Sequence, residues 1–124
     1  MKTNKEKIKH HYHTDSLYEL IVEKLTQLGL DLKTIKRSDL SAVDEFHVRG
    51  AAVSRELGNS VSLEGKTVLD VGCGIGGPCR MLADEFNCHA TGLDLSKDYI
   101  RTAKELSKLV KLEDKTSFVQ VFFV

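Results

Sequence analysis

The spacing of hydrophobic and polar positions changes about halfway along the chain. In the first half, apolar residues recur every three or four positions, which predicts amphipathic helices. The first helix is predicted over residues 16–28 and ends at Gly29, and a shorter one begins near Ser38. A third is predicted over residues 50–57, with Gly58 as its end. The N-terminal half of the chain is therefore expected to be helical.

From residue 67 onward, short apolar runs alternate with helical periodicity. Strands are predicted over residues 67–71, 89–93 and 117–124, and the first is rich in β-branched residues and is expected to be buried. One helix is predicted from Pro78 and another is capped by Ser96. Such alternation is typical of parallel strands joined by helical crossovers. The sequence therefore predicts an α/β fold of the order β-α-β-α-β, preceded by a helical segment.

Composition and charge exclude several classes of function. The chain has 124 residues, 41% of them hydrophobic, and its 18 Lys and Arg balance 18 Asp and Glu. This balance gives no electrostatic reason to bind nucleic acid or an anionic membrane. No stretch approaches the roughly 18 apolar residues of a membrane span. Cys73, Cys79 and Cys88 lack the spacing of a metal or disulfide site, so free thiols and a cytoplasmic location are expected.

The chain is predicted to divide into three parts. Residues 1–13 are expected to form a mobile basic tail. Residues 14–60 form the helical N-terminal or lid segment, and residues 61–124 form the sheet. The tail holds His10, His11 and His13, but their spacing is not that of a recognised metal site. No metal is therefore expected.

The most informative stretch is a glycine-rich turn that follows the first predicted strand, Asp70-Val71-Gly72-Cys73-Gly74-Ile75-Gly76-Gly77-Pro78. Glycines permit positive φ and close approach of a ligand, and the N–H groups that open the next helix favour an anion. Asp94 ends the next strand, 17 residues after Gly77, where a carboxylate can accept hydrogen bonds from both hydroxyls of a ribose. Turn and acid together predict a nucleotide site. The alternative is a tight turn beside an acid that caps a helix.

The glycine spacing fits two classes of nucleotide, and the position of Asp70 distinguishes between them. Gly72, Gly74 and Gly77 also satisfy the pattern of dinucleotide-binding enzymes. A carboxylate two residues before the first glycine attracts an ammonium group and repels a pyrophosphate. This favours S-adenosylmethionine, which carries an α-amino group and a sulfonium, over NAD.

The turn, with Asp94 on the next strand, resembles that of the class I S-adenosylmethionine-dependent methyltransferases. Residues 43–50 and 76–80 are similar to the small-molecule branch, which includes the glycine, sarcosine and dimethylglycine N-methyltransferases, the phosphoethanolamine N-methyltransferases and the ubiquinone and menaquinone C-methyltransferases. The resemblance covers about residues 14–118. It implies a Rossmann-like fold and the transfer of a methyl group from S-adenosyl-L-methionine to a small molecule, expected to be an amine.

The resemblance also implies roles for individual residues. The turn glycines would pass under the methionine and ribose portions of the cofactor, Asp94 would hold the ribose, and Leu95 would lie against the adenine. The residues expected to bind the cofactor are Asp70, Gly72, Cys73, Gly74, Gly76, Asp94, Leu95 and Arg49.

His47 and Tyr18 are the candidate catalytic residues. His47 and Arg49 would contact the methionine carboxylate or the substrate, and the alternative is a loop with solvated side chains. For Tyr18 the alternative is packing within its helix.

The chain departs from the family after the third strand. Relatives usually continue into a turn whose acid meets the adenine amino group, whereas residues 121–124 here are apolar. The chain is therefore predicted to be the N-terminal half of such an enzyme, with 61–124 as a partial S-adenosylmethionine-binding domain and little or no activity alone. Exposed sheet edges are expected to pair into a homodimer. The alternatives are a non-catalytic nucleotide-binding or dimerisation module and an NAD-binding domain.

Overall fold

The computed structural model describes residues 17–44 and 50–122 of the chain. The expectations for the basic tail, for His47 and Arg49, and for the last two residues lie outside the described part.

The N-terminal helices follow the apolar spacing closely. Helix α1 spans Leu17–Gln27 and ends where Gly29 adopts a φ of 84° and its N–H donates to the Thr26 carbonyl at 3.0 Å. The short helix predicted near Ser38 is confirmed: a 3-10 helix spans Arg37–Leu40 and continues into α2, Ser41–Asp44.

The sequence predicted that the next helix ends at Gly58, and this prediction is wrong. Helix α3 spans Gly50–Ser60 and runs through it. A Cβ atom at Gly58 would lie 2.5 Å from the ring of Phe86. The glycine is therefore required because a neighbouring ring packs directly against the helix backbone, and this close approach has no local signature in the sequence.

The second half of the chain forms a parallel sheet of three strands in the order β1-β2-β3. The strands are β1 at Thr67–Val71, β2 at His89–Asp94 and β3 at Thr116–Gln120, with α4 at Gly77–Phe86 and α5 at Lys97–Leu109 between them. The predicted β-α-β-α-β order is confirmed. Strand β3 is shorter than predicted because its partner β2 ends at Asp94, whose carbonyl still accepts from the Val121 N–H at 3.0 Å.

The two faces of the sheet differ in burial. Alternate residues such as Ala90 and Phe118 are buried among side chains of α4 and α5. On the opposite face Leu69, Val71 and Val119 are 60%, 70% and 49% exposed. The prediction that β1 is buried is therefore wrong for this face, because both crossover helices of the described chain pack on the same side.

Among the described residues, the buried side chains form three clusters. The first joins the N-terminal helices to the glycine turn and to α5, through Ile21, Leu25, Ile35, Leu40, Ile75 and Leu106. The second lies between sheet and helices and contains Cys73, Cys79, Ala90, Ile100, Ala103 and Phe118. The third is smaller and contains Met81, Leu82 and Cys88.

Ion pairs add to the attachment of the N-terminal segment. Arg37 Nε lies 2.8 Å from Asp84 Oδ2, Arg55 Nε lies 2.9 Å from Glu85 Oε1, and Arg101 of α5 pairs with a carboxylate of α1.

The predicted division of the chain between residues 60 and 61 stays a prediction. No helix in residues 17–44 or 50–122 combines the length and apolarity that crossing a bilayer requires.

Candidate cofactor site

The glycine-rich turn joins β1 to α4 through residues with left-handed backbone. The φ values are 77° at Gly72, 56° at Gly74 and 85° at Gly76. Residues that carry a Cβ atom rarely adopt this backbone conformation. The N–H groups of Gly72 and Cys73 both donate to the Leu93 carbonyl, at 2.7 and 2.9 Å. The turn is thus attached to the carboxyl end of β2.

Two glycines of this region are fixed by close packing. A Cβ atom at Gly76 would lie 2.7 Å from the Phe118 ring and 2.9 Å from Arg80 Nη1. A Cβ atom at Gly92 would lie 2.6 Å from Cys73 Sγ. Sequence reasoning did not single out Gly92, although a glycine two residues before the acid that ends β2 is a usable signal that the turn crosses there.

Asp94 lies against the turn with both carboxylate oxygens in use by the backbone. Its Oδ2 accepts from the Gly74 N–H at 2.9 Å, and its Oδ1 accepts from the Ser96 N–H at 3.0 Å. Each oxygen retains further acceptor capacity, because a carboxylate offers about four acceptor positions. The predicted cap on α5 is present, since Ser96 Oγ accepts from the Tyr99 N–H at 3.2 Å.

Two buried cysteines, Cys73 and Cys79, lie near Asp70. The Cys79 thiol donates to Asp70 Oδ2 over 3.7 Å. Burial, reinforced by the Asp70 charge, raises the pKa of Cys73 to about 12 and raises the pKa of Cys79 as well. Both thiols therefore stay protonated at neutral pH and act as small apolar groups rather than nucleophiles.

A small apolar cavity lies beside Asp94 at the carboxyl ends of the strands. It measures about 160 Å³ and is lined by Val71, Gly72, Leu93, Asp94, Leu95 and Val121. Leu95 is about half exposed, and its carbonyl accepts from the Gln120 side-chain amide at 3.1 Å. The arrangement suits a flat apolar group placed next to a diol.

Of the two predicted catalytic residues, Tyr18 and His47, the structure describes Tyr18. Tyr18 packs against the cluster that contains Leu25 and Ile75, and burial, followed by the charges of Glu105 and Glu19, raises its pKa. His47 and Arg49 lie outside the described residues. Across the part of the chain that the structure describes, no three His, Cys, Asp or Glu side chains are close enough to share a metal ion.

A second residue that sequence reasoning missed at this site is Arg80. It is fully buried, and its Nη2 donates to the Ile75 carbonyl at 2.7 Å. A charged residue in a helix is normally solvated. Its burial depends on α5, more than 20 residues further along the chain, so local patterning does not reveal it.

Comparison with known families decides between the classes of nucleotide-binding fold. Residues 68–121, which include all of this rim, match the family described as a methyltransferase domain. This segment is therefore similar to the methyltransferase domain family.

Curated relatives and solved structures agree with this assignment of the methyltransferase domain. The chain is 43% identical to cycloartenol-C-24-methyltransferase of Arabidopsis thaliana over 60 residues, which are 48% of this chain. It is 51% identical to phosphoethanolamine N-methyltransferase 2 of Caenorhabditis elegans over 41 residues, which are 33% of this chain. Among solved structures, an S-adenosylmethionine-dependent methyltransferase from Thiobacillus denitrificans, in complex with S-adenosyl-L-homocysteine, matches 66% of the chain with a TM-score of 0.53 and 27% identity.

The matched part of this chain corresponds to a small part of those proteins. The aligned segments cover 18% of the Arabidopsis protein, 9% of the Caenorhabditis protein and 34% of the Thiobacillus chain. The parallel sheet with its crossover helices is thus the shared Rossmann-like half of a class I methyltransferase fold.

Proposed function

We propose that this chain binds S-adenosyl-L-methionine at the glycine turn and serves methyl transfer to a small molecule. In this proposal Gly72, Cys73, Gly74 and Gly76 pass beneath the methionine and ribose portions. Asp70 lies near the amino end of the cofactor and Leu95 lies against the adenine. Arg49 is proposed to meet the methionine carboxylate, and the methyl acceptor is expected to be an amine. A cytoplasmic location is part of the same proposal.

The observation that carries this proposal is the contact between Asp94 and the turn. A carboxylate that is held by the Gly74 and Ser96 N–H groups is preorganised, so binding a ribose diol does not require it to be ordered first. Charge-assisted hydrogen bonds from hydroxyls to such a carboxylate are among the strong ones.

The small size of the cavity supports the expectation that this chain alone binds the cofactor weakly. Ligand pockets usually measure about 300–1,000 Å³, whereas the cavity beside Asp94 measures about 160 Å³. The described residues thus enclose a part of the cofactor, and we expect slow or no turnover. Little acid–base chemistry is needed for methyl transfer, which depends mainly on positioning and desolvation, and an open rim supplies neither fully.

Calorimetric titration tests the proposed cofactor. S-adenosyl-L-homocysteine, the demethylated product, should bind the chain, and Asp94→Ala should abolish the binding heat. NAD at the same concentration should neither bind nor compete, because its pyrophosphate would face Asp70. Binding of NAD in preference to S-adenosyl-L-homocysteine would overturn the proposal.

The exposed apolar face favours a second candidate function, that of a dimerisation module. Leu69 and Val71 of β1 are exposed. In the described sheet β1 is an edge strand, because it pairs with β2 on one side and with no strand on the other. An unpaired strand edge pairs readily with another chain. Sedimentation should show a homodimer that Val71→Lys dissociates and that Val61→Lys, at an exposed position outside the sheet, leaves intact. A parent chain that sediments as a monomer at high concentration would contradict this function.

A further inference from the structure

Arg80 is the largest side chain buried completely in the described chain, with 0% of its surface exposed. Burying a guanidinium removes its favourable hydration, and the compensating contacts rarely make such a group a net source of stability. A buried arginine within reach of a ligand-binding turn therefore requires an explanation other than stability.

The hydrogen bonds of Arg80 connect two elements that are distant in sequence. Nη2 donates to the Ile75 carbonyl inside the turn at 2.7 Å. Nη1 donates to the Ala103 carbonyl at 3.2 Å and to Ser107 Oγ at 3.3 Å, both in α5. The planar guanidinium serves these acceptors at fixed angles, which a lysine ammonium on a flexible stem does not reproduce.

The packing around the guanidinium fixes the turn on its other side. Nη1 lies so close to Gly76 that a Cβ atom there would be 2.9 Å away, while the backbone N–H of residue 80 donates to the Gly76 carbonyl at 3.0 Å as part of the helix start. Arg80 and Asp70 also act in opposite directions on the pKa of Cys73, which the carboxylate raises and the cation lowers.

We infer that Arg80 is a positioning residue that holds the glycine turn in its ligand-binding form. Its guanidinium holds the Ile75 carbonyl away from the rim and ties it to α5. The Gly74 N–H is thereby directed at Asp94, and the turn is kept open for the cofactor. This inference deepens the proposed function and rests on it for the identity of the ligand, whereas the role of Arg80 in shaping the turn does not depend on a ligand.

The test compares Arg80→Lys and Arg80→Met with two matched controls. Arg101→Lys makes the same change at an exposed arginine of α5 that pairs with α1. Leu82→Ala lowers overall stability from the separate cluster with Met81 and Cys88. The readouts are amide hydrogen exchange at Gly74 and Gly76 without ligand, and calorimetric affinity for S-adenosyl-L-homocysteine.

Both Arg80 variants should speed exchange at Gly74 and Gly76 by at least about tenfold beyond any change in α1, because hydrogen bonds to a charged group are lost. Affinity should fall by a similar factor, with Arg80→Lys retaining more than Arg80→Met. Arg101→Lys should change neither readout. Leu82→Ala should speed amide exchange throughout the chain in equal proportion. The Arg80 variants would give the same uniform pattern if Arg80 contributed only to overall stability.

Ser107→Ala keeps the test decisive if Arg80→Met does not fold, since it removes one acceptor and leaves the guanidinium in place. It should speed exchange at the turn in the same sense and to a smaller degree. Turn amides that exchange no faster in Arg80→Lys and Ser107→Ala than in the parent would overturn the inference. Faster exchange at the turn in a chain that binds no S-adenosyl-L-homocysteine would refute the proposed function and support the role of Arg80.

Discussion

Asp94 Oδ2 accepts a hydrogen bond from the Gly74 N–H at 2.9 Å, which links the end of β2 to the turn that follows β1. This contact joins residues 20 positions apart and brings the acid and the glycines of the proposed cofactor site to one rim. The carboxylate of Asp94 therefore shapes the turn, and in the proposed site it also faces the ligand.

Replacing this carboxylate by an amide should weaken cofactor binding. Asp94→Asn retains one oxygen acceptor and loses the negative charge, so one backbone N–H and one ribose hydroxyl lose a charge-assisted partner. We expect the dissociation constant for S-adenosyl-L-homocysteine to rise by at least about tenfold in calorimetry.

The matched control is Asp98→Asn, at an exposed position in the first turn of α5. It removes the same charge from the same part of the molecule without touching the turn. Equal affinity in Asp94→Asn and the parent would show that the carboxylate does not hold the ligand.

The turn should tolerate no side chain at Gly76. Gly76→Ala places a methyl group in left-handed backbone and within 2.7 Å of the Phe118 ring. Gly65→Ala imposes the same kind of backbone strain at a φ of 72°, with no heavy atom within 4 Å of the new methyl group. Urea unfolding should show a loss of about 1 kcal/mol for Gly65→Ala and at least about 2 kcal/mol for Gly76→Ala. Equal losses would mean that the packing around Gly76 relaxes freely.

Glu85 should stabilise the fold in a pH-dependent way. A hydrogen bond from Arg55, together with the charges of Arg55 and Arg37, lowers the pKa of Glu85 against the opposing effect of burial. A lowered folded pKa gives stability that is present above the unfolded value, about 4.3, and that is lost as the pH falls through the folded value.

Urea unfolding at several pH values checks this expectation. Glu85→Gln should destabilise the protein at pH 7 by no more than about 1 kcal/mol, because the pair is partly solvated. The difference from the parent should shrink as the pH falls below about 4. A loss that stays constant across all pH values would contradict the assignment.

The buried thiols should resist modification in the folded chain. Cys73, Cys79 and Cys88 are all buried and free, and burial raises the pKa of each. Ellman's reagent at pH 8 should label them slowly in the native protein and rapidly in urea, since the thiolate is the reactive form. Rapid native labelling of Cys73 would contradict the packing of the turn.

The same thiols make stability fall at alkaline pH. An unfolded cysteine ionises near about pH 8.5, whereas Cys73 in the folded chain ionises at about 12. The stabilising effect of the protonated thiol is therefore complete below the unfolded value and is lost as the pH rises through this window. Cys73→Ala should reduce the slope of unfolding free energy against pH between 9 and 11, and an unchanged slope would exclude Cys73 as its source.

Strand β1 and the turn could be predicted because their signals are local. The β-branched run at residues 67–71 is followed at once by glycines that need positive φ, and the acid on the next strand follows from parallel topology. The face of β1 that is exposed could not be predicted in the same way, since burial depends on which side the helices pack.

Gly58 and Arg80 show why the remaining features escaped prediction. Each has a local reading, a helix stop for the glycine and a solvated side chain for the arginine. Each is decided by a distant partner, the Phe86 ring in one case and the carbonyl of Ala103 in the other. Contacts of this kind belong to tertiary packing, which overrides local propensity.

Ile75 couples the order of the glycine turn to the docking of the N-terminal helices. Its carbonyl is held by Arg80, while its side chain, 1% exposed, is buried with Ile21 and Leu25 of α1. Any ligand that binds the ordered turn more tightly than a loosened one must also favour the docked state of α1, and the coupling is reciprocal. The N-terminal helices are therefore an energetic component of ligand affinity without needing to touch the ligand.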